Sequence, residues 1–266
     1  MNKKELLDRC ARDGEERILL ARALDKLELA QRRDVPAHTA FLSPGQQASV
    51  AGLLNAWGRP RHRFWGGYSN SERQICFFLA GWQDEDAPLN DAEGPLTALE
   101  AKFSADAPLT HRDILGSLMG LGITRELLGD ILLPQPGLCQ VVALREAAPI
   151  LLSQWEGAGR YKVSLSEIPL SRLAPKPPQV KTIRDTVATP RLDAVVASGF
   201  SLSRSRASAL IAAGKVALNH RECLKADRPV AEGDTLTCRG LGKCVIKEVP
   251  GRSKKGRTML VIERYV

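Results

Sequence analysis

The chain has 266 residues, of which 44% are hydrophobic, 26% charged and 5% aromatic. This length predicts about two domains, or three small ones, and the apolar fraction excludes a chain that is wholly disordered or collagen-like. No apolar run approaches the ~18 residues that a membrane-spanning helix needs. The opening residues, MNKKELLDRC, lack the apolar core of a secretory signal. We therefore expect a cytoplasmic protein.

The positive charge is confined to the last third of the chain. Residues 1–181 contain 22 Lys and Arg against 22 Asp and Glu, whereas residues 182–266 contain 16 against 8. The whole formal net charge of +8 therefore lies in the final segment. Charge separated in this way is typical of a module that binds a polyanion, although a solvated surface would also carry it.

The six cysteines and four histidines do not predict a metal site. No two cysteines form a Cys-x-x-Cys pair, and the histidines are scattered. A structural zinc ion needs soft ligands at short spacing. We expect reduced cysteines, no metal and no cofactor.

Helix and strand signals define an N-terminal domain at residues 1–81. Apolar residues near the helical period predict one helix over the first 34 residues. Ser43 and Pro44 predict the start of a second helix that ends near Gly58. Residues 61–81 predict a strand pair with a Gly-Gly turn, and the acidic segment 82–95 follows as a boundary loop.

Residues 96–168 predict a middle domain with the β-α-β-β-α-β order of ferredoxin-like folds. Thr110 and Asp113 form an expected capping pair, and Gly120 and Gly122 mark the helix end. Such sheets bind RNA through exposed aromatic residues, and the candidate middle strand 138–144 has none. The predicted elements are strand 96–103, helix 110–121, strands 129–133 and 138–144, helix 146–157 and strand 161–165.

The motif Thr110-His111-Arg112-Asp113 resembles part of a kinase catalytic loop, but no glycine-rich phosphate loop or Asp-Phe-Gly accompanies it. We expect His111 and Arg112 to be exposed residues of the first helical turn. They are candidates for contact with RNA or a partner protein, unless the motif serves helix capping alone.

A proline-rich connector, residues 169–178, leads to the basic module at residues 182–266. A first helix is predicted at 191–200, closed by Gly199, and a second at 204–213, capped by Ser203 and ended by Gly214. Short strands are predicted at 216–218, 235–238, 244–249 and 259–263.

The start of the second helix is a candidate phosphate site. Its free N–H groups attract anions, and Arg204 and Arg206 add forked donors. Arg191 and Lys215 would widen this patch. Glycine-bounded basic runs at 239–243 and 252–257 also suit close contact with a phosphate backbone, although a charged hairpin tip can simply keep an edge strand soluble.

The motifs of this module resemble the S-four RNA-binding domain, first described in small-ribosomal-subunit protein four. This resemblance implies two helices and a β-turn that face structured RNA, with contacts from Arg191, Ser203, Arg204, Arg206, Lys215 and Asn219. Asn219 could instead serve only the turn conformation. The matching residues are Arg191-Leu192-Asp193, Ser203-Arg204, Ala207, Ile211, Gly214, Val216, Leu218-Asn219 and Gly233-Asp234.

Segments along most of the chain are similar to the YlmH-like family of bacterial RNA-binding proteins. This resemblance implies an α+β protein: an N-terminal domain, a ferredoxin-like (RRM-like) middle domain and a C-terminal S-four domain. It also implies binding to rRNA and tRNA on the large ribosomal subunit, and a link to ribosome-associated quality control of stalled nascent chains or to cell division. The similar segments are 41–44, 66–68, 72–73, 109–133, 239–243 and 253–257, with Ser253 where the family usually has threonine.

We therefore predict a non-catalytic, monomeric RNA-binding protein. The alternatives are an RNA-modifying enzyme, because pseudouridine synthases use an Arg-Leu-Asp motif, and a cell-division adaptor. Asp193 of the motif lies inside the first RNA-binding helix, so we expect it to pair with an arginine or to cap. The predicted RNA contacts are Arg191, Ser203, Arg204, Arg206, Lys215, Asn219, Arg239, Lys243, Arg252, Lys254, Lys255 and Arg257.

Overall fold

Helices and strands occur in both halves of the chain, which confirms the predicted α+β class. The computed structural model describes residues 2–89 and 94–265, so part of the predicted loop 82–95 lies outside the described residues. Two units are formed, Met1–Lys176 and Pro177–Val266. Within the described ranges, no helix is both long and apolar enough to cross a membrane. The helices are α1 Lys3–Cys10, α2 Gly14–Arg33, α3 Pro44–Trp57, α4 His111–Gly120, α5 Ala148–Gln154, α6 Leu192–Phe200 and α7 Arg204–Ala212.

Among the described residues, the strands form two larger sheets, one small sheet and one short hairpin. The small sheet has the order β1-β3-β2, the middle sheet β5-β6-β4-β9 and the C-terminal sheet β10-β15-β14-β13-β11-β12. The strands are β1 Ala37–His38, β2 His62–Trp65, β3 Ile75–Phe78, β4 Leu96–Lys102, β5 Leu128–Gln135, β6 Leu138–Leu144, β7 Gly157–Ala158, β8 Tyr161–Lys162, β9 Ser164–Ile168, β10 Val180–Val187, β11 Val216–Leu218, β12 Arg221–Glu222, β13 Thr235–Cys238, β14 Gly242–Arg252 and β15 Thr258–Tyr265.

The single helix predicted for the first 34 residues is wrong, because the chain turns between α1 and α2. The Asp13 carboxylate accepts the backbone N–H of Glu16 and caps α2. The buried Glu16 carboxylate then accepts bonds from the Arg12 side chain at 2.8 and 3.0 Å, and from the Ser49 hydroxyl of α3. These local polar bonds begin a new helix where the apolar period alone would continue the old one.

Glu16 gives the first unit a pH-dependent stability. The Arg12 hydrogen bonds outweigh burial and, with Ser49, lower the pKa of the Glu16 carboxyl from 4.5 to about 2. The folded chain therefore keeps Glu16 ionised where the unfolded chain protonates it. We expect the free energy of unfolding to lose about 2 kcal/mol as the pH falls from 4.5 to 2, after allowance for the exposed Arg12.

Urea unfolding followed by tryptophan fluorescence tests this prediction, because all four tryptophans lie in the first unit, at positions 57, 65, 82 and 155. Glu16→Gln should remove this pH dependence. The control Glu15→Gln changes an exposed neighbour in the same way. A Glu16→Gln profile parallel to that of the unsubstituted chain would show that Glu16 is not the titrating group.

The second predicted helix and the strand pair are confirmed. Ser43 caps α3 in a capping box with Gln46, Pro44 is the first helical residue, and Gly58 ends the helix with φ of 110°. Strands β2 and β3 pair antiparallel. The two-residue strand β1, which pairs with β3, was not predicted because it is too short to show a period.

The middle sheet has the strand order of a ferredoxin-like fold, and strand 138–144 matches its prediction. The predicted helix 146–157 is shorter: a 3-10 turn precedes α5, and the β7–β8 hairpin follows it. Pro149 opens α5, whose last turn ends before the buried Trp155. The predicted strand 161–165 is divided between β8 and β9.

Both faces of the middle sheet are covered. One face packs on α4 and α5 through residues such as Ile114 and Leu151. The other face, where ferredoxin-like RNA binders display aromatic residues, packs on Phe41 and Phe77 from the N-terminal segment. At Ala98 and Val142 the sheet is completely buried, so RNA has no access to the sheet there.

The C-terminal unit differs from its prediction in several places: β12 was not predicted, β14 extends beyond the predicted strand 244–249 at both ends, and two further differences concern β10 and the end of α6. Strand β10, in a segment without a predicted strand, pairs along its whole length with β15. Gly199 does not close α6, which continues to Phe200 and ends at Ser201 with φ of 55°. Gly199 instead allows close packing, because a Cβ atom there would lie 2.9 Å from the Cys244 Sγ.

Candidate nucleic-acid interface

The start of α7 is organised around the buried carboxylate of Asp193 in α6. Arg204 Nε donates to Asp193 Oδ2 at 2.9 Å, and Arg191 donates from Nε and Nη2 at 3.3 Å. Burial raises the pKa of Asp193, but the Arg204 hydrogen bond, the Ala194 N–H and the two positive charges outweigh it and lower that pKa. The expectation that this aspartate pairs with an arginine is confirmed.

Two cations that contact this carboxylate, Arg191 and Arg204, and a third on the first turn of α7, Arg206, remain open to solvent. The Arg191 and Arg204 side chains are 39% and 57% exposed although they pair with Asp193. Arg206 is exposed and has no ion pair among the described residues. The Ser203 hydroxyl caps α7 by accepting the Arg206 N–H at 3.2 Å, so it holds the helix start and leaves the guanidinium groups outside.

A second group of cations lies at the loop between β14 and β15, residues 253–257, here called the tip loop. Ser253 and Arg257 close this loop through a backbone bond of 2.8 Å. Lys254 and Lys255 are exposed at its turn, and Arg252 is exposed just before it. Arg257 is held differently, because Nε donates to the Thr186 Oγ1 of β10 at 3.1 Å and Nη2 donates to the Thr186 carbonyl.

The other predicted cationic contacts, Lys215, Arg239 and Lys243, lie at the opposite end of β14. Arg239 and Lys243 flank the turn between β13 and β14, and the Arg239 N–H donates to the Lys215 carbonyl at 2.8 Å. The Lys243 Nζ lies 4.5 Å from the centre of the Tyr265 ring. Strands rise ~3.3 Å per residue, so at most about 30 Å separates this group from Arg252 along β14.

The predicted contacts therefore divide between two ends of one sheet. Arg204 and Arg257 line the same groove, so the α7 start and the tip loop lie together. Lys215, Arg239 and Lys243 form the second group. Thr186 and Tyr265 were missed by sequence reasoning, because they lie far along the chain from the cations that they hold.

Asn219 serves the β11–β12 turn. Asn219 and His220 both have positive φ, at 49° and 64°, as a two-residue type I′ hairpin requires. The Asn219 amide donates to Asp234 Oδ1 at 2.7 Å and accepts the Thr235 N–H at 2.9 Å. Both ends of the side chain are thus engaged within the protein, so its geometry favours the turn role over direct contact with RNA.

His111 and Arg112 lie in the first unit, exposed in the first turn of α4. Thr110 and Asp113 form the predicted capping box, with the Thr110 N–H donating to Asp113 at 2.8 Å. The Thr110 hydrogen bonds lower the pKa of Asp113. This motif therefore caps a helix, and its two exposed side chains are free to contact a partner.

The segment 66–73 joins the N-terminal strands to the middle sheet. Asp130 of β5 accepts bonds from the Tyr68 hydroxyl at 2.7 Å and from the backbone N–H groups of Glu72 and Arg73 at 2.7 and 3.0 Å. Arg73 donates to the carbonyls of Phe41, Arg125 and Leu128. Burial and the Arg125 charge lower the pKa of Arg73 to about 10. Segment 66–73, which is similar to the YlmH-like family, therefore has a structural role: it holds the N-terminal strands against the middle sheet.

Two segments match family models of RNA-binding domains. Residues 97–172 match the model described as "Putative RNA-binding domain in YlmH", and residues 190–236 match the S4 domain, which is the S-four RNA-binding domain that the motifs of this module resemble. The second match contains α6, α7 and β11, but it excludes β10 and the tip loop.

The chain is also similar to individual proteins. The Bacillus subtilis (strain 168) protein named ribosome-associated protein quality control protein P2 is 30% identical over 251 residues, which cover 94% of this chain and 95% of that protein. The structure of the cell division protein ylmH from Streptococcus pneumoniae is 24% identical with a TM-score of 0.47, and covers 60% of this chain and 95% of that chain. Because the similarity to the Bacillus protein extends over nearly the whole of both chains and residues 97–172 match the YlmH model, this protein is a member of the YlmH family.

Proposed function

We propose that this protein binds rRNA and tRNA on the large ribosomal subunit, as a non-catalytic monomer in the cytoplasm, during quality control of stalled nascent chains. The observation that carries the proposal is the segregation of the whole net charge of +8 into residues 182–266. The B. subtilis relative, named for ribosome-associated quality control, supports the ribosome as the partner.

The arrangement of the cations supports RNA as the ligand. The α7 start carries Arg191, Arg204 and Arg206, and the tip loop carries Lys254 and Lys255. Side chains of this kind bind phosphate oxygens and orient a protein on nucleic acid. Cations at both ends of β14 would contact phosphate groups up to about 30 Å apart along the strand, which suits a folded RNA better than a small anion.

The position of Asp193 argues against the pseudouridine synthase alternative. The Asp193 side chain is only 5% exposed and pairs with both Arg191 and Arg204. A catalytic carboxylate must reach the base that it modifies, whereas this one is covered by its own arginines. We infer that the Arg-Leu-Asp motif supports binding and performs no catalysis.

Salt dependence tests the proposed surface. The full-length chain is sedimented with large ribosomal subunits carrying tRNA over a range of salt concentrations. We expect the logarithm of the binding constant to fall with the logarithm of the salt concentration, by roughly 0.7–0.9 for each phosphate contact. Lys254→Ala combined with Lys255→Ala should reduce that slope by about two contacts, because both ammonium groups are exposed.

The matched control removes a positive charge from the other unit. Lys4 is exposed on α1, so Lys4→Ala lowers the net charge by one without touching the proposed surface. We expect this variant to keep the slope of the unsubstituted protein. If the double variant keeps both affinity and slope, the tip loop does not bind RNA; if the unsubstituted chain does not sediment even in dilute buffer, the proposed function is wrong.

A further inference from the structure

A groove of about 420 Å³ lies between α6 and β10 in the C-terminal unit. Its lining includes the small residues Ala194, Ala197 and Ser198 of α6, and the two arginines Arg204 and Arg257. Grooves of roughly 300–1,000 Å³ are the usual size of small-molecule sites. The S4 match contributes only part of this lining, because β10 and Arg257 lie outside it.

Both arginines are oriented by the protein before any ligand arrives. Arg204 Nε is bound to Asp193, and the guanidinium of Arg257 donates to the Thr186 hydroxyl and carbonyl. A guanidinium has five N–H donors, so each arginine keeps further donors for a ligand in the groove. Side chains that are already held lose less entropy on binding. The pair therefore suits a phosphate group.

The groove also offers hydrogen-bond acceptors. Asp185 is exposed on β10, and its Oδ1 accepts the Thr186 N–H at 2.7 Å, which leaves Oδ2 available to a ligand. A ligand that fits must combine an anionic group for the arginines with N–H donors for the Asp185 carboxylate.

We propose that this groove binds one unstacked ribonucleotide from a loop of the bound RNA. The phosphate faces Arg204 and Arg257, and the base lies in the groove with its N–H groups directed at the Asp185 carboxylate. RNA loops present such splayed bases, which also stack on arginine planes. The proposal rests on the proposed RNA binding and adds a preference for bases that carry an exocyclic amino group over uracil.

The first test uses mononucleotides with the full-length chain. Backbone amide resonances are followed by NMR during titration with 5′-GMP, 5′-UMP or inorganic phosphate. We expect saturable shifts at residues 185–187 and 194–204 with 5′-GMP, and about tenfold weaker binding of 5′-UMP, as the loss of a hydrogen bond to a charged group predicts. Equal binding of 5′-GMP and inorganic phosphate, or shifts confined to the tip loop, would overturn the proposal.

Two variants separate this groove from the general RNA surface. Asp185→Asn, a change at an exposed position, should abolish the preference for 5′-GMP over 5′-UMP; an unchanged preference would exclude the assigned role of Asp185. Ala197→Leu fills the groove without changing the charge. It should lower affinity for the large ribosomal subunit severalfold while the salt slope stays the same.

The matched control for groove filling is Ala105→Leu, at an exposed position of the first unit and on neither of the two helices assigned to RNA. It should leave both mononucleotide and ribosome binding unchanged. If Ala197→Leu folds and binds ribosomes like this control, the groove holds no nucleotide, although the proposed ribosome binding stands. If the unsubstituted chain binds no ribosomes at any salt concentration, the proposed function itself fails, whatever the mononucleotide titration shows.

Discussion

Asp193→Ala is expected to weaken RNA binding about tenfold although it makes the C-terminal unit more positive. Asp193 holds Arg204 at 2.9 Å and Arg191 at 3.3 Å. Without the carboxylate both guanidinium groups become free to rotate, and each immobilised side chain costs about 0.5–1.5 kcal/mol on binding. If net charge alone determined affinity, the same substitution would strengthen binding. The sign of the change therefore distinguishes positioning from bulk electrostatics.

Stability should fall with affinity in this variant. The Asp193 carboxylate also accepts the Ala194 N–H at 2.9 Å. Hydrogen bonds to charged groups contribute about 1.5–3 kcal/mol each. In the variant, water hydrates the partly exposed guanidinium groups of Arg191 and Arg204, which reduces the loss of stability. We expect a loss of about 2–4 kcal/mol in the free energy of local unfolding, measured by amide hydrogen exchange over α6 and α7 in the full-length chain.

The control for this prediction is Asp227→Ala, which removes an exposed carboxylate of the same unit. It should strengthen RNA binding slightly at low salt and leave exchange in α6 unchanged. Tighter binding by Asp193→Ala, to the same degree as by the control, would show that Asp193 does not position the arginines.

Asp130→Ala is expected to destabilise the first unit by about 3–5 kcal/mol. The substitution leaves the Tyr68 hydroxyl and the N–H groups of Glu72 and Arg73 without their acceptor. A buried donor that loses its partner costs about 1–3 kcal/mol; this cost applies to the part-buried donors of Tyr68 and Arg73, whereas water can satisfy the exposed Glu72 N–H. These bonds also hold segment 66–73 against β5. We therefore expect the loss of stability to include weaker packing between the N-terminal strands and the middle sheet.

Urea unfolding followed by tryptophan fluorescence measures this loss. Tyr68→Phe removes one of the three bonds and should cost about 1 kcal/mol. Asp106→Ala, at an exposed position, is the matched control and should have no measurable effect. A result in which Asp130→Ala unfolds at the same urea concentration as Asp106→Ala would show that this junction does not hold the unit together.

Elements with strong local signals were predictable from sequence. The capping box of Ser43 and Gln46 and the αL residue Gly58 define α3, and an apolar run defines β6. The break between α1 and α2 was missed although its signal is local: Asp13 accepts the Glu16 N–H and caps α2, but the apolar period continues across this cap. Strand β10 was missed for a different reason: it has no regular alternation of burial, and its partner β15 lies more than 70 residues away.

In the candidate site, too, local features were predictable from sequence and contacts between distant residues were not. The cations at the α7 start and in the tip loop were visible as residue types near turn signals. Their tethers were not, because Arg257 meets Thr186 across 71 positions of the chain. Asn219 shows the opposite case, since a residue that resembled an RNA contact uses its amide for the turn.

Sequence alone determined the α+β class, the basic C-terminal module and its resemblance to an RNA-binding domain, because composition, helix caps and short motifs act over a few residues. Only the tertiary structure decided that Phe41 and Phe77 cover the middle sheet and that Arg204 and Arg257 line one groove. Such contacts depend on which surfaces meet when distant segments pack, and the free energy of that packing is shared among residues that no local pattern connects.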